Sequence, residues 1–193
     1  MVYTELVSDV ERLSESLGEL PEPMIEPAFI AVSGLPGTGK SYFCRKLIER
    51  IPLVILESDA LRKVLFLSPN YSLQESSRLF RACNLLIERL LRKGISLILD
   101  ATNVAERHRE RLYNIADRLD VKLILVRVEA PPQVVYERLK ARLENLESKS
   151  DADWTVYQRM KSTVQKIHRN YYTVDTSRNI TPVLDKIARE LRR

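Results

Sequence analysis

The sequence predicts an α/β three-layer sandwich: a five-stranded parallel sheet with helices on both faces and a helical lid. Three observations predict it. From Ala28 onward, apolar runs alternate with helical patterns, the order expected of strands joined by crossover helices. The runs are continuous rather than alternating in polarity, which marks strands covered on both faces. A glycine-rich stretch lies between the first run and the first helix, where such sheets bind their ligands.

The elements follow in order. Leu6, Val10, Leu13, Leu17 and Leu20 recur at spacings of three and four, predicting one apolar stripe on a helix from about Thr4 to Leu20. The stretch "PEPMIEP" then ends it, since proline lacks the N–H that helix and sheet need. Residues 1–27 therefore read as an amphipathic helix and a proline-rich tether, and residues 28–193 as one domain. Within that domain "AFIAVS", "LVILES", "SLILDA" and "KLILVRVE" are the expected strands, and "VDTSRNIT" is either a last short strand with its loop or a plain connection to the final helix.

Composition narrows the function classes. The 193 residues are 45% hydrophobic, enough for one sizeable core. Thirty-one Lys and Arg against 26 Asp and Glu leave a net charge of +5. That welcomes an anionic ligand and is too small an excess to imply nucleic acid. Two cysteines, Cys44 and Cys83, make no disulfide framework, and neither an apolar leader nor a run of 18 apolar residues occurs. The expected compartment is the cytoplasm, with no membrane partner.

The chemistry begins at "GLPGTGKS", Gly34 to Ser41, which satisfies G-x-x-x-x-G-K-[ST] between a strand and a helix. Gly34, Gly37 and Gly39 let the backbone wrap phosphates at the positive end of a helix. Leu35, Pro36, Thr38 and Tyr42 complete the cradle. Lys40 supplies a point charge to the β and γ phosphates of ATP, and Ser41 offers a hydroxyl to Mg2+. A magnesium site also wants an acid, and Asp100 ends an apolar strand.

In "LESDALRK", Asp59 and Arg62 stand three residues apart where the second strand stops. Ser58 or Asp59 as a helix cap explains part of this. The chemical alternative makes Asp59 a base for an acceptor hydroxyl and Arg62 its handle. A lid over about 138–155 follows in "VVYERLKARLENLESKSDADW", where Arg138 and Arg142 share one helix face and reach adenine and phosphate together. The segment "SDADW" reads as a helix start capped by Ser150, with Trp154, Tyr157, Met160, Val164 and Ile167 as its buried stripe. The alternative gives Asp151 or Asp153 to the acceptor.

The motifs "GLPGTGKS", "SDALRK", "LDATN" with Arg107 and Arg109 following, "EAPPQVVYERLKAR" and "SDADW" together resemble the P-loop kinases. These are the kinases grouped with the polynucleotide kinase 5′-kinase domain, zeta toxins, gluconate kinases and chloramphenicol phosphotransferases. More closely they resemble the predicted kinases also found fused to aminoglycoside phosphotransferase-like proteins. The likeness runs from about Ala28 to Ser177. It implies the P-loop nucleoside triphosphate hydrolase fold and an ATP-dependent kinase, with Asp59 as base and Arg142 stabilising the moving phosphoryl group. It implies acceptor contacts from Asp59, Arg62, Thr102, Asn103 and Arg107. Ala101 separates Asp100 from Thr102 and Asn103, where polynucleotide kinases show "DTN" or "NTN", which weakens a polynucleotide 5′ end against a small-molecule acceptor. A second class stays open: an ATP-binding regulatory module whose N-terminal helix docks a protein partner.

Overall fold

The structure is a computed structural model, and it describes residues 2–143 and 152–192. The central sheet has strand order β2-β3-β1-β4-β5 and is parallel at every pairing. Its strands are β1 (Ala28–Ser33), β2 (Val54–Glu57), β3 (Leu97–Asp100), β4 (Lys122–Glu129) and β5 (Tyr171–Asp175). All six residues of β1 and all four of β3 are buried, as continuous apolar runs require. The open alternative for "VDTSRNIT" resolves into β5, which begins at Tyr171, upstream of that stretch.

Side chains alternate across the strands and build one core on each face. Phe29, Ala31, Leu56, Leu97, Leu99 and Leu125 join α3 (Ser58–Leu65), α4 (Leu73–Arg92) and α5 (Glu106–Leu119) on one side. Ile30, Val32, Ile98, Ile124 and Val126 join α2 (Lys40–Ile48) and α8 (Thr181–Leu191) on the other. The chain between β4 and β5 leaves the sheet as α6 (Pro132–Leu143) and returns as α7 (Trp154–Lys161). These two helices bury a small core of Val135, Leu139 and Tyr157 above the glycine loop, with Leu35 packed against it.

The N-terminal helix α1 (Val2–Glu15) is shorter than its stripe predicts. Gly18 adopts a left-handed φ of 68° and turns the chain before Leu20, the conformation that ends helices most easily at glycine. Val10 and Leu13 enter the core shared with α3 and α4. Asp9 is 1% exposed and takes both Nε and an Nη of Arg78 at 2.7 Å, a fork geometry that fixes orientation as well as charge.

The expected cap at Ser150 lies outside the described residues. Asp153 caps α7 instead, accepting from the Val156 N–H at 2.8 Å. The helix stops at Lys161, so Val164 and Ile167 fall in the following strap rather than on its stripe. Likewise, neither Ser58 nor Asp59 caps α3. The N-cap position is Glu57, which makes no side-chain cap bond, and Asp59 sits inside the first turn.

Leu13 is fully buried where α1 meets the core. Leu13→Ala should therefore cost about 2–5 kcal/mol in urea unfolding; a loss below about 0.5 kcal/mol, the range of surface changes, would mean that α1 lies loosely on the domain.

Candidate phosphate-transfer site

The site forms because β1 ends in a loop that cannot leave the sheet. Gly34 N–H donates to the Thr102 carbonyl at 3.0 Å, and the Ser33 hydroxyl donates to the carbonyls of Thr102 and Asn103 at 3.2 and 3.1 Å. The Asn103 amide returns the tie to the Val32 carbonyl at 2.8 Å, from a left-handed backbone with φ of 44°. Asparagine tolerates that region better than most residues. The ends of β1 and β3 are thus laced together. Asn103 is buried in this lacing, its side-chain amide spent on the Val32 carbonyl.

The loop itself is packed to the point that only glycine fits. A Cβ on Gly37 would stand 2.9 Å from both Leu139 and Val135 of the lid, and one on Gly39 would stand 2.8 Å from the Thr176 hydroxyl. Their φ values of 77° and 91° add backbone strain for any other residue. Beyond Gly39, α2 begins at Lys40, so its first N–H groups open into the loop.

Lys40 Nζ donates to the Leu35 carbonyl at 3.1 Å, folded back across the loop. Burial pushes the Lys40 ammonium pKa down, Asp100 and then Asp59 oppose that, and Arg142 adds to the lowering. Asp100, Asp59 and Arg142, from β3, α3 and α6, are therefore near enough to act on the charge of Lys40 on α2. The Ser41 hydroxyl donates to Asp100 Oδ2 at 2.5 Å, and Asp100 is 4% exposed. A hydroxyl and a carboxylate, both oxygen donors, are the set that a small hard cation takes, so the pair fits a magnesium ion. A cleft of about 340 Å3 opens on this pair, lined by Glu57, Leu61 and Val64 and by Ser16 and Leu17 after α1. Glu57, opposite Asp100 in the strand register, is an acid that the sequence motifs do not flag.

On the opposite side, Arg138 of the lid donates to the Thr176 hydroxyl at 2.8 Å and to its carbonyl at 3.0 Å, while the Thr176 hydroxyl donates to the Thr38 carbonyl at 2.6 Å. Lid, glycine loop and the end of β5 form one hydrogen-bonded corner. Arg142, one turn further along α6, is near enough to act on the charge of Lys40.

Arg107 is exposed on the first turn of α5, away from this lacing, whereas Arg109 is 2% exposed. Arg109 donates to the Asn103 carbonyl at 2.6 Å, to the Gln165 and Lys166 carbonyls at 2.9 and 2.8 Å, and to Glu106. It clamps the strap that returns from α7 onto the loop after β3. Arg62 is also buried, bound to Glu75 at 2.5 Å and covered by the Tyr71 ring. Glu75 was readable as part of a capping box, since "SLQE" places it three residues after Ser72, whose hydroxyl accepts from the Glu75 N–H.

A glycine loop at the end of β1, an acid at the end of β3 and a lid bearing paired arginines define a kinase-like P-loop domain. The AAA domain family model matches residues 29–167, and the chain belongs to that family. An L-seryl-tRNA(Sec) kinase from Methanococcus maripaludis is 28% identical over 141 residues, which is 66% of this chain and 54% of that protein. The chain thus spans about half the length of this curated relative. A putative kinase from Chloroflexus aurantiacus superposes with a TM-score of 0.66 at 22% identity, covering 84% of this chain and 97% of that one. The Mycobacterium tuberculosis APS kinase, solved with AMPPNP and APS, gives 0.63 at 21%, covering 89% and 100%. At such identities the superpositions establish the fold.

Gly37→Ala should weaken nucleotide binding at least about tenfold, because its Cβ would press on Leu139 and Val135. A fluorescent ATP analogue titrated against both proteins measures this; unchanged affinity would show that the loop and lid yield around a methyl group.

Proposed function

We propose that the protein is an ATP- and Mg2+-dependent kinase that moves the γ-phosphate to a hydroxyl of a small-molecule acceptor, with a polynucleotide 5′ end as the less favoured alternative. The observation that carries this is Asp59. It stands on the first turn of α3 without serving as its cap, close enough to Lys40 to act on its charge. An acid placed there is not needed as the cap of the helix, which supports giving it a part in the chemistry beside Lys40.

In this reading the loop N–H groups and Lys40 hold the β and γ phosphates, and Ser41 and Asp100 hold magnesium. The metal ion would neutralise charge developing between those phosphates. Asp59 takes the proton of the acceptor hydroxyl as its oxygen bonds to the γ-phosphorus, while the bond to the ADP oxygen breaks and the electron pair leaves with ADP. Arg142 balances charge on the moving group, and Arg138 sits by Thr176 where the base of the nucleotide would rest. Thr102 is partly exposed beside the loop and remains an acceptor contact. Arg107 faces outward, so a contact from it suits a large acceptor better than a small one.

The regulatory-module reading asks α1 to dock a partner. Its apolar stripe is instead spent inside the domain on α3 and α4, which favours the kinase reading.

Asp59→Asn should lower acceptor-stimulated loss of the ATP γ-phosphate about 100-fold or more, as loss of a general base does, with ATP binding nearly unchanged. Sugars, nucleosides, aminoglycosides and 5′-hydroxyl oligonucleotides form the acceptor panel. Equal hydrolysis by both proteins, indifferent to every acceptor, would return Asp59 to a structural role.

Ser41→Ala should raise the Mg2+ concentration needed for half-maximal turnover roughly 10-fold or more. Unchanged metal dependence would remove Ser41 from the metal site.

A further inference from the structure

Thr176 stands where the lid, the glycine loop and the end of β5 meet, and its hydroxyl is used in both directions. A hydroxyl has one proton. Here it goes to the Thr38 carbonyl at 2.6 Å, while one Arg138 Nη donates to the same oxygen at 2.8 Å. The other Arg138 Nη holds the Thr176 carbonyl at 3.0 Å, and the Thr176 N–H donates to the Glu129 carbonyl at 3.0 Å. The lid, the end of β4 and the glycine loop therefore fix this one residue, which is buried. Its close approach is also what bars a Cβ at Gly39, which would stand 2.8 Å from the Thr176 hydroxyl.

A trans peptide sets its carbonyl and the following N–H on opposite sides, and the Thr38–Gly39 peptide is trans. With the Thr38 carbonyl held by Thr176, the Gly39 N–H points the other way, and it makes no hydrogen bond among the described residues. An open N–H in a phosphate loop is a donor for a phosphate oxygen. Turning that peptide over would aim a carbonyl oxygen where the N–H was, and a carbonyl oxygen repels an anion. Gly39, at φ of 91°, has no side chain to resist such a turn. We propose that Thr176 is a positioning residue for nucleotide binding: its hydroxyl keeps the Gly39 N–H turned toward the phosphates, and Arg138 acts on them through Thr176. Because Arg138 occupies a lone pair of the hydroxyl, the proton is directed at the Thr38 carbonyl. The proposal rests on the nucleotide part of the kinase reading and is independent of the acceptor.

The test separates phosphates from base by comparing ATP with inorganic tripolyphosphate, both with Mg2+, as displacers of a fluorescent ATP analogue. Thr176→Val should weaken the two by a common factor of about tenfold or more, the scale of losing one well-placed hydrogen bond, and Thr176→Ser, which keeps the hydroxyl, should bind both like wild type. Weakened ATP with unchanged tripolyphosphate would give Thr176 to the base of the nucleotide and overturn the proposal. Arg138→Met should weaken tripolyphosphate in the wild-type background and add less than about twofold once Thr176→Val is present, since the two act as one unit. A full further loss there would mean that Arg138 holds phosphate directly, which overturns the relay. Where Thr176→Val does not fold, Thr176→Ala removes the hydroxyl without crowding the Thr38 carbonyl and carries the same expectations. A wild type that binds neither ATP nor tripolyphosphate overturns the nucleotide reading and the proposal together, whereas a hydroxyl-free variant that binds both like wild type overturns the proposal alone.

Discussion

Everything in the site hangs on the lacing of β1 to the loop after β3. A phosphate loop works only if its N–H groups converge, and convergence requires that the chain leaving β1 be held from several directions. Ser33, Gly34 and Asn103 provide three of these through the Val32, Thr102 and Asn103 carbonyls. Arg109 adds the fourth by binding the Asn103 carbonyl from below. The same guanidinium holds the strap returning from α7, so the fixed end of the lid and the floor of the phosphate loop share one buried charge. Removing one partner of such a buried group strands the others, which explains why so polar a residue sits among the most buried side chains of the protein.

Electrostatics then divides the site into two halves. Around Lys40 the charges are mixed and, among the described residues, not closed into ion pairs: Arg142 adds to the positive charge, while Asp59 and Asp100 oppose it. That half is suited to a highly charged ligand that completes it. Around Arg62 the charges are closed, with Glu75 answering the guanidinium inside a buried network.

What the sequence made legible were the features with short-range signatures. The strands could be read because β1 and β3 are buried on both faces, and the glycine loop because its backbone conformation admits no other residue at Gly37 and Gly39. The Ser41 and Asp100 pair followed from two motif positions that the parallel pairing of β1 with β3 brings together. Residues whose partners are distant along the chain were not legible in this way. Arg107 and Arg109 look alike in "ERHRER", and only the helix phase of α5 sends one to solvent and the other under Asn103. Arg62 carried a motif, but its partner Glu75 lies beyond the turn in which Asn70 and Tyr71 donate to that same carboxylate. The helix ends were displaced for similarly local reasons, Gly18 shortening α1 and Asp153 taking the cap of α7.

The position of α1 ties these threads to function. Its helix lies across α3 and α4, the two elements that carry Asp59, Arg62 and Glu75. The Arg12 guanidinium donates to the Val64 carbonyl at 2.5 Å, and Ser16 and Leu17 wall the cleft beside Ser41 and Asp100. A segment that the sequence sets apart by its prolines is therefore built against the cleft beside the phosphate loop. The orientation of α3, which carries Asp59, depends on a helix that carries none of the motifs.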